Sequence, residues 1–325
     1  MRKIITIFIL FMLVFSLSAC GTNNGTNHDV SNGDGIMTLD VGTWKTPQTI
    51  TPFFYQNQIA DNLNVNVVPF TNPGDMKTAL MAGSLDLCGT TIVTAITAAS
   101  KDEPVKIVAG LSNKCSALVV GTDSDIETGA DLKGKKIAYV PGTMHHLLLL
   151  EVLNKHGLDP EKDVELMRID FFDMGQALAQ GTVDAFYSGE PYPSIAVKEG
   201  YGKILLYPDD NEGFGIINSA VMTSQDKIDN NREIIQNLVT AHAQATEFLI
   251  NNRQDWLDKS EEFGTARDVL EVAADNIEFF WEFDDHYMKS VENLAQRMLE
   301  QGLITKIPDI EAMFDLSFME QAKRK

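Results

Sequence analysis

The chain has 325 residues, 44% of them hydrophobic and 22% charged, with a formal net charge of −20. That length allows two ordinary domains with real cores, and the acidic balance argues against nucleic acid and against charge-driven adhesion to anionic lipid. An anionic small molecule stays open, because local donors and helix ends can hold one inside an acidic protein.

Arg2 and Lys3 precede an apolar run at 4–15, and Leu17-Ser18-Ala19-Cys20 follows. This is the layout of a secretory signal peptide over residues 1–19, and the run is short for a membrane span. Residues 20–35 comprise Cys20 and a polar Gly/Asn/Thr stretch without periodicity, read as a flexible tether reaching about 20 Å as a random coil.

Residues 37–41 alternate apolar and polar as a strand does and end in a loop at 42–47, before an expected helix through Phe53, Phe54 and Tyr55. A β-rich run at 64–70 leads into a cassette that occurs twice. It reads Asp75-Met76-x-x-Ala79-Leu80-x-x-Gly83-x-x-Asp86 and again, 98 positions on, Asp173-Met174-x-x-Ala177-Leu178-x-x-Gly181-x-x-Asp184. Repetition of this kind marks a duplicated unit. In each copy the first Asp is expected to cap a short helix, Ala and Leu share one face, Gly ends the helix, and a strand follows. On the same offset Leu39 aligns with Ile137 and Val41 with Tyr139, so a second lobe should open at 136–140. The fold class is therefore α/β, two similar lobes with mixed, mostly parallel sheets.

Runs 116–120 and 219–223 each precede a polar turn. They are either plain core strands or the two strands of a double crossover hinge. Lobe 1 is placed at 36–120 plus 221–325 and lobe 2 at 121–220. In the second lobe Thr143 is a good N-cap for a helix through four consecutive leucines, with Lys155, His156 and Gly157 as its C-terminal signals. Four leucines in a row require burial on more than one face. From 230 onward the pattern turns helical, at 233–251, 267–283 and 287–301, with Trp256, Phe279, Phe280 and Trp281 as core aromatics.

Cys88 and Cys115 can pair or lie buried and inert. No spacing among Cys88, Cys115, Met144, His145 and His146 matches a known ligand set, so neither a metal nor a cofactor is expected.

Leu17-Ser18-Ala19-Cys20 resembles a bacterial lipobox. With it go the duplicated lobes, Asp131-Leu132-Lys133-Gly134-Lys135-Lys136-Ile137 ahead of the second lobe, Gly189-Glu190-Pro191 after its cassette strand, and the helical C-terminus. In this order, over about residues 36–320, they resemble the substrate-binding proteins of ABC importers, in particular the nitrate/sulfonate/taurine and thiamine-pyrimidine-precursor group. The resemblance implies a type II periplasmic-binding-protein fold and lipid on Cys20 anchoring the protein outside the cytoplasm. It also implies a small-molecule solute in the interlobe cleft, closure on binding, and delivery by a monomer to an ABC permease and its ATPase. The alternative is an enzyme on the same fold, such as a pyrimidine-precursor or menaquinone-pathway enzyme. Against it stand the export signal and the lack of GxSxG, HExxH, P-loop and GxGxxG motifs.

In open α/β sheets, ligands lie at the C-terminal ends of the strands, where helix N-termini point. Four loops qualify, at 44–46, 89–91, 142–145 and 188–192. Thr90, Thr91 and Thr143 offer backbone N–H groups and hydroxyls that suit an anion, Thr46 and Gly142 belong to the same loops, and Thr90 and Thr91 suit helix capping equally. Trp44, Tyr187, Tyr192 and Phe214 either clasp a flat or cationic solute or pack in the core. Ser188 and His145, the latter held toward neutral at a helix N-terminus, add hydrogen-bonding groups. Glu190 either meets an amine or ring nitrogen of the ligand or caps the following helix. Lys45 and Lys114 are the only basic residues nearby, which favours a zwitterionic or heteroaromatic solute over an inorganic oxyanion.

Overall fold

The computed structural model describes residues 36–208 and 215–324. The expected signal peptide, Cys20 with its tether, and Phe214 lie outside the described residues.

The first lobe starts with β1 (Met37–Thr43), β2 (Leu63–Pro69), α1 (Pro73–Met81), β3 (Leu87–Thr91), α2 (Ile92–Ala99) and β4 (Val105–Lys114). The second holds β5 (Ser116–Gly121), β6 (Lys136–Tyr139), α3 (Met144–Lys155), β7 (Glu165–Arg168), α4 (Phe171–Ala179), β8 (Ala185–Gly189), α5 (Tyr192–Lys198) and β9 (Gly202–Leu206). The chain then returns through β10 (Ile217–Ser224), α6 (Gln225–Asn251), α7 (Arg253–Glu261), α8 (Arg267–Ala273), β11 (Ile277–Phe279), α9 (Asp285–Glu300), α10 (Ile310–Met313) and α11 (Ser317–Ala322).

One sheet runs β11-β4-β10-β3-β1-β2 and the other β7-β6-β8-β5-β9. The two orders are the same pattern. In each, an antiparallel strand, β10 or β5, stands between parallel neighbours, and that strand is the first one made after the chain has crossed from the other lobe. The sheets are thus mixed with most strands running one way, as the sequence predicts. The boundaries differ from the expected ones. Residues 116–120 belong wholly to the second sheet and 219–223 wholly to the first, so the first crossing falls at Lys114-Cys115 and the chain is back in the first sheet by Ile217. Both runs are apolar enough to sit in either core, so composition does not mark the crossing. The backbone does: Lys114 and Cys115 both adopt the left-handed conformation, with φ of 61° and 62°, a pair of sharp turns rarely taken by residues with a Cβ. Lys114 N–H donates to the Ile216 carbonyl at 2.6 Å, tying the two crossings together.

The duplicated cassette does a structural job. Its last aspartate accepts a backbone N–H from the first strand of its lobe, Asp40 N to Asp86 Oδ2 at 2.9 Å and Lys136 N to Asp184 Oδ2 at 2.8 Å. Gly83 and Gly181 follow the helices at φ of 80° and 70°, as C-cap glycines do. The first aspartates, Asp75 and Asp173, are not the caps; they sit in the first turn, after N-caps Asn72 and Asp170, where their charge still suits the helix dipole. The strand alignment also shifts. Val41 pairs with Leu87 and Ile137 with Ala185, so Val41 corresponds to Ile137 and not to Tyr139. A slip of two residues keeps the in-out alternation of a strand, which is why the sequence pattern hid it.

Two further segments depart from expectation. Phe53, Phe54 and Tyr55 lie in a 3-10 turn (Thr51–Asn57) that follows another at Pro47–Thr49. Pro47 and Pro52 interrupt the donor ladder a longer α-helix needs. The helix expected over 267–283 stops at Ala273, and Ile277–Phe279 forms an edge strand on β4, in keeping with its β-branched and aromatic residues.

Cys88 and Cys115 are both buried and unbonded, and burial pushes the Cys88 thiol up to about 12. One apolar cluster joins Ile92, Ile96, Val291 and Leu294 of the first lobe to Leu147, Leu149 and Leu153 of α3. Beside it Arg297 of α9 donates to Glu151 of α3 through Nε at 3.2 Å and through Nη2, and Gln301 Nε2 adds a bond at 2.9 Å. Glu151 is buried, so Arg297→Met leaves a carboxylate in the interlobe seam with only Gln301. Discounted for the half-buried guanidinium, the expected loss is about 2 kcal/mol in urea unfolding; Glu151→Gln, which removes the charge with its partner, should cost less.

Candidate ligand-binding cleft

The C-terminal ends of the parallel strands in both sheets face one cavity. From the first lobe come Trp44, Thr46, Gln48, Thr49, Thr71, Pro73, Thr91 and Asn218; from the second come Thr143, His145, Phe171, Phe172, Ser188, Gly189, Glu190 and Tyr192. Its volume is about 50 Å³, where a single water needs about 10–15 Å³ on the same measure. A compact solute fits; a bulky one must hold the lobes further apart.

The structure brings together Trp44, Thr46, Thr91, Thr143, His145, Ser188, Glu190 and Tyr192 of the residues singled out from the sequence. Lys45, Thr90 and Tyr187 do not line the cavity. Each is a strand or loop neighbour of a residue that does, and successive side chains in extended chain point to opposite faces. Lys45 is exposed, Thr90 is buried with its hydroxyl unpartnered, and Tyr187 faces a groove on the other side of β8. Gly142 borders a neighbouring groove between α1 and the β6–α3 loop. Among the described residues no lysine or arginine lines the cavity; Lys114 pairs with Glu278 at 3.0 Å.

The lining groups are positioned by ordinary local rules. Thr91 and Thr143 are N-caps, accepting from Thr94 N and His146 N, while lining the cavity as well. Glu190 Oε2 accepts from Ser194 N at 3.3 Å, so it does cap the start of α5, and Oε1 accepts from Asn276 Nδ2 at 3.1 Å. It is 1% exposed, and burial pushes its carboxyl up to about 7 in spite of these donors. Burial likewise pulls His145 down to about 4, so its ring is neutral. His146 turns away and packs on Tyr139, ring centroids 4.7 Å apart. The Gln48 amide oxygen is buried at the cavity wall without a partner among the described residues, an acceptor in want of a donor.

Thr71, Pro73, Phe171 and Phe172 were not anticipated, yet they follow β2 and β7, whose C-terminal ends belong to the same edge as those considered. Applied to every parallel strand, the strand-end rule finds them. Asn218 and Gln48 carry no such signal: one is the second residue of an antiparallel strand, the other sits in a 3-10 turn. Phe171 and Tyr192 lie nearly parallel, 11° apart with centroids at 6.5 Å, and Phe172 meets Tyr192 edge-on at 5.8 Å. The second lobe therefore offers an aromatic wall.

Residues 54–255 match the family described as NMT1/THI5 like, well over half of the chain. The chain belongs to the NMT1/THI5-like family. Among curated relatives of this NMT1/THI5-like chain, a putative aliphatic sulfonates-binding protein of Escherichia coli is 30% identical over 192 residues, 58% of this chain and 59% of that protein. A formylaminopyrimidine-binding protein of Halalkalibacterium halodurans is 24% identical over 266 residues, 79% of this chain and 78% of that protein. The alkanesulfonate-binding protein SsuA of Xanthomonas axonopodis, solved with MOPS, superposes with a TM-score of 0.75 at 22% identity, covering 86% of this chain and 98% of that one. That likeness establishes the periplasmic-binding-protein fold. The same fold also carries the desulfurization enzyme DSZB, at a TM-score of 0.68 and 15% identity, so architecture alone does not decide between receptor and catalyst.

Proposed function

We propose that the protein is the extracytoplasmic solute-binding component of an ABC importer, held at the membrane by lipid on Cys20, which captures a small organic solute between its lobes and delivers it to the permease. Support comes from a cavity shared by two lobes whose chain crosses twice and from binding-protein relatives. Ser116 Oγ lies 3.0 Å from His145 Nδ1, but among the described residues Ser116 does not itself line the cavity, which favours a receptor over an enzyme. A Cys20→Ala chain should leave the membrane fraction while its solute affinity stays unchanged.

The observation that carries the ligand class is the buried Glu190 carboxyl, together with a Gln48 oxygen that no described residue partners, in a cavity that no described lysine or arginine lines. Acceptors without cations disfavour a sulfonate, nitrate or carbonate, whose charge would face Glu190 unpaired. They suit a compact solute with N–H donors, flat enough to lie on the Phe171, Phe172 and Tyr192 wall. A thermal-shift screen of the chain from Ile36 onward tests this against amino-heterocycles, guanidino compounds, amino acids, taurine, alkanesulfonates and nitrate. A solute at 100 times its Kd adds about 2.7 kcal/mol of stability. Stabilisation by the amino-heterocycles or guanidino compounds is expected; stabilisation by sulfonates or nitrate alone overturns the ligand class, and turnover of any of them overturns the receptor.

A further inference from the structure

Each crossing is followed by one polar side chain near the cleft: Ser116, which opens β5 and lies behind His145, and Asn218, the second residue of β10, which lines the cavity. Both are buried. Asn218 Nδ2 donates to Ser116 Oγ at 3.3 Å, and Ser116 Oγ lies 3.0 Å from His145 Nδ1. A hydroxyl has one proton to give. With Asn218 donating to it, Ser116 gives that proton to His145 Nδ1, since the Lys114 carbonyl is 3.5 Å away and the neighbouring Cys115 sulfur is a weak acceptor. Nδ1 is then an acceptor, and the ring proton of the neutral imidazole sits on Nε2. Nε2 has no protein partner among the described residues and lies over Gly189, where an added Cβ would stand 3.0 Å from it.

We propose that Ser116 and Asn218 are positioning residues that lock His145 in its Nε2–H tautomer, so that the cleft presents one neutral N–H donor and takes a solute with a hydrogen-bond acceptor there, such as a ring nitrogen or a carbonyl. This rests on the cleft being the solute site and deepens that reading: the solute carries an acceptor toward His145 and donors toward Glu190 and Gln48.

The tautomer is measured by two-bond 1H–15N correlations on histidine-labelled protein without solute. In the unaltered protein Nδ1 should appear unprotonated and Nε2 protonated. Ser116→Ala should mix the tautomers and Ser116→Thr restore the bias. Asn218→Asp should invert it, because a carboxylate takes the Ser116 proton and leaves the hydroxyl accepting from Nδ1–H. A purely structural role for the pair would move none of these signals. An Nδ1–H tautomer in the unaltered protein, or an unchanged tautomer in Asn218→Asp, overturns the proposal. Because no solute is present, that failure is distinct from a failure of the protein to bind any solute. Pyrimidine, a probe with ring-nitrogen acceptors only, should then shift the Nε2 signal saturably, and need at least tenfold more in Asn218→Asp; equal responses overturn the donor role.

Discussion

Asp86→Ala should lower stability by about 3–5 kcal/mol, whereas Asp184→Ala, at the same place in the second cassette, should cost about 1 kcal/mol. Both side chains hold the first strand of their lobe through a backbone N–H. Only Asp86 also meets an ammonium, Lys227 Nζ at 2.7 Å, with both side chains buried. Removing Asp86 leaves the Lys227 charge desolvated inside the sheet, while Asp184 is half-buried and its removal frees the neutral Lys136 N–H. Urea unfolding followed by far-ultraviolet circular dichroism suits the comparison, because both lobes carry helices. Equal losses at the two aspartates would show that the buried ion pair contributes nothing beyond the shared backbone bond.

Glu190→Gln should cut the affinity of a cationic or N–H-donating solute about 10- to 100-fold, the worth of a charge-assisted hydrogen bond of about 1.5–3 kcal/mol. The same change should spare or tighten anions. It should also remove a pH dependence. Burial holds the Glu190 carboxyl up to about 7 in the folded protein against 4.5, so the folded state retains a proton that the unfolded state has released. The contribution to stability is full below about pH 4.5, falls as pH rises toward about 7 and is level above, a total of about 3 kcal/mol for the unliganded protein. A cationic solute shows the opposite slope, binding more tightly as pH approaches 7 because it needs the carboxylate. Denaturation and calorimetric titration from pH 4 to 8 read both slopes. A glutamine variant that keeps them would place the titrating group elsewhere.

Much of this architecture was legible in the residues because it was written twice. The cassette glycines at 83 and 181, the Thr143 cap and the buried Leu147–Leu150 run all follow local rules with little competition from tertiary contacts. The crossings were not legible, because residues 116–120 and 219–223 are equally good strands for either sheet and only the backbone at Lys114-Cys115 separates them. The site divided along the same line. Side chains at strand ends were found wherever loops were inspected, but alternation sent Lys45, Thr90 and Tyr187 to the wrong face, and neither composition nor spacing fixes which of two neighbours points into a cleft. Glu190 bonds the first turn of α5, as its capping reading has it, and lines the cavity as well.

The most direct test is a crystal structure of the chain with a solute from the screen bound. It should show the solute between Trp44 and Thr91 of the first lobe and His145 and Glu190 of the second, with its donors on Glu190. A solute held on the outer surface of one lobe, leaving this cavity empty, would contradict the account.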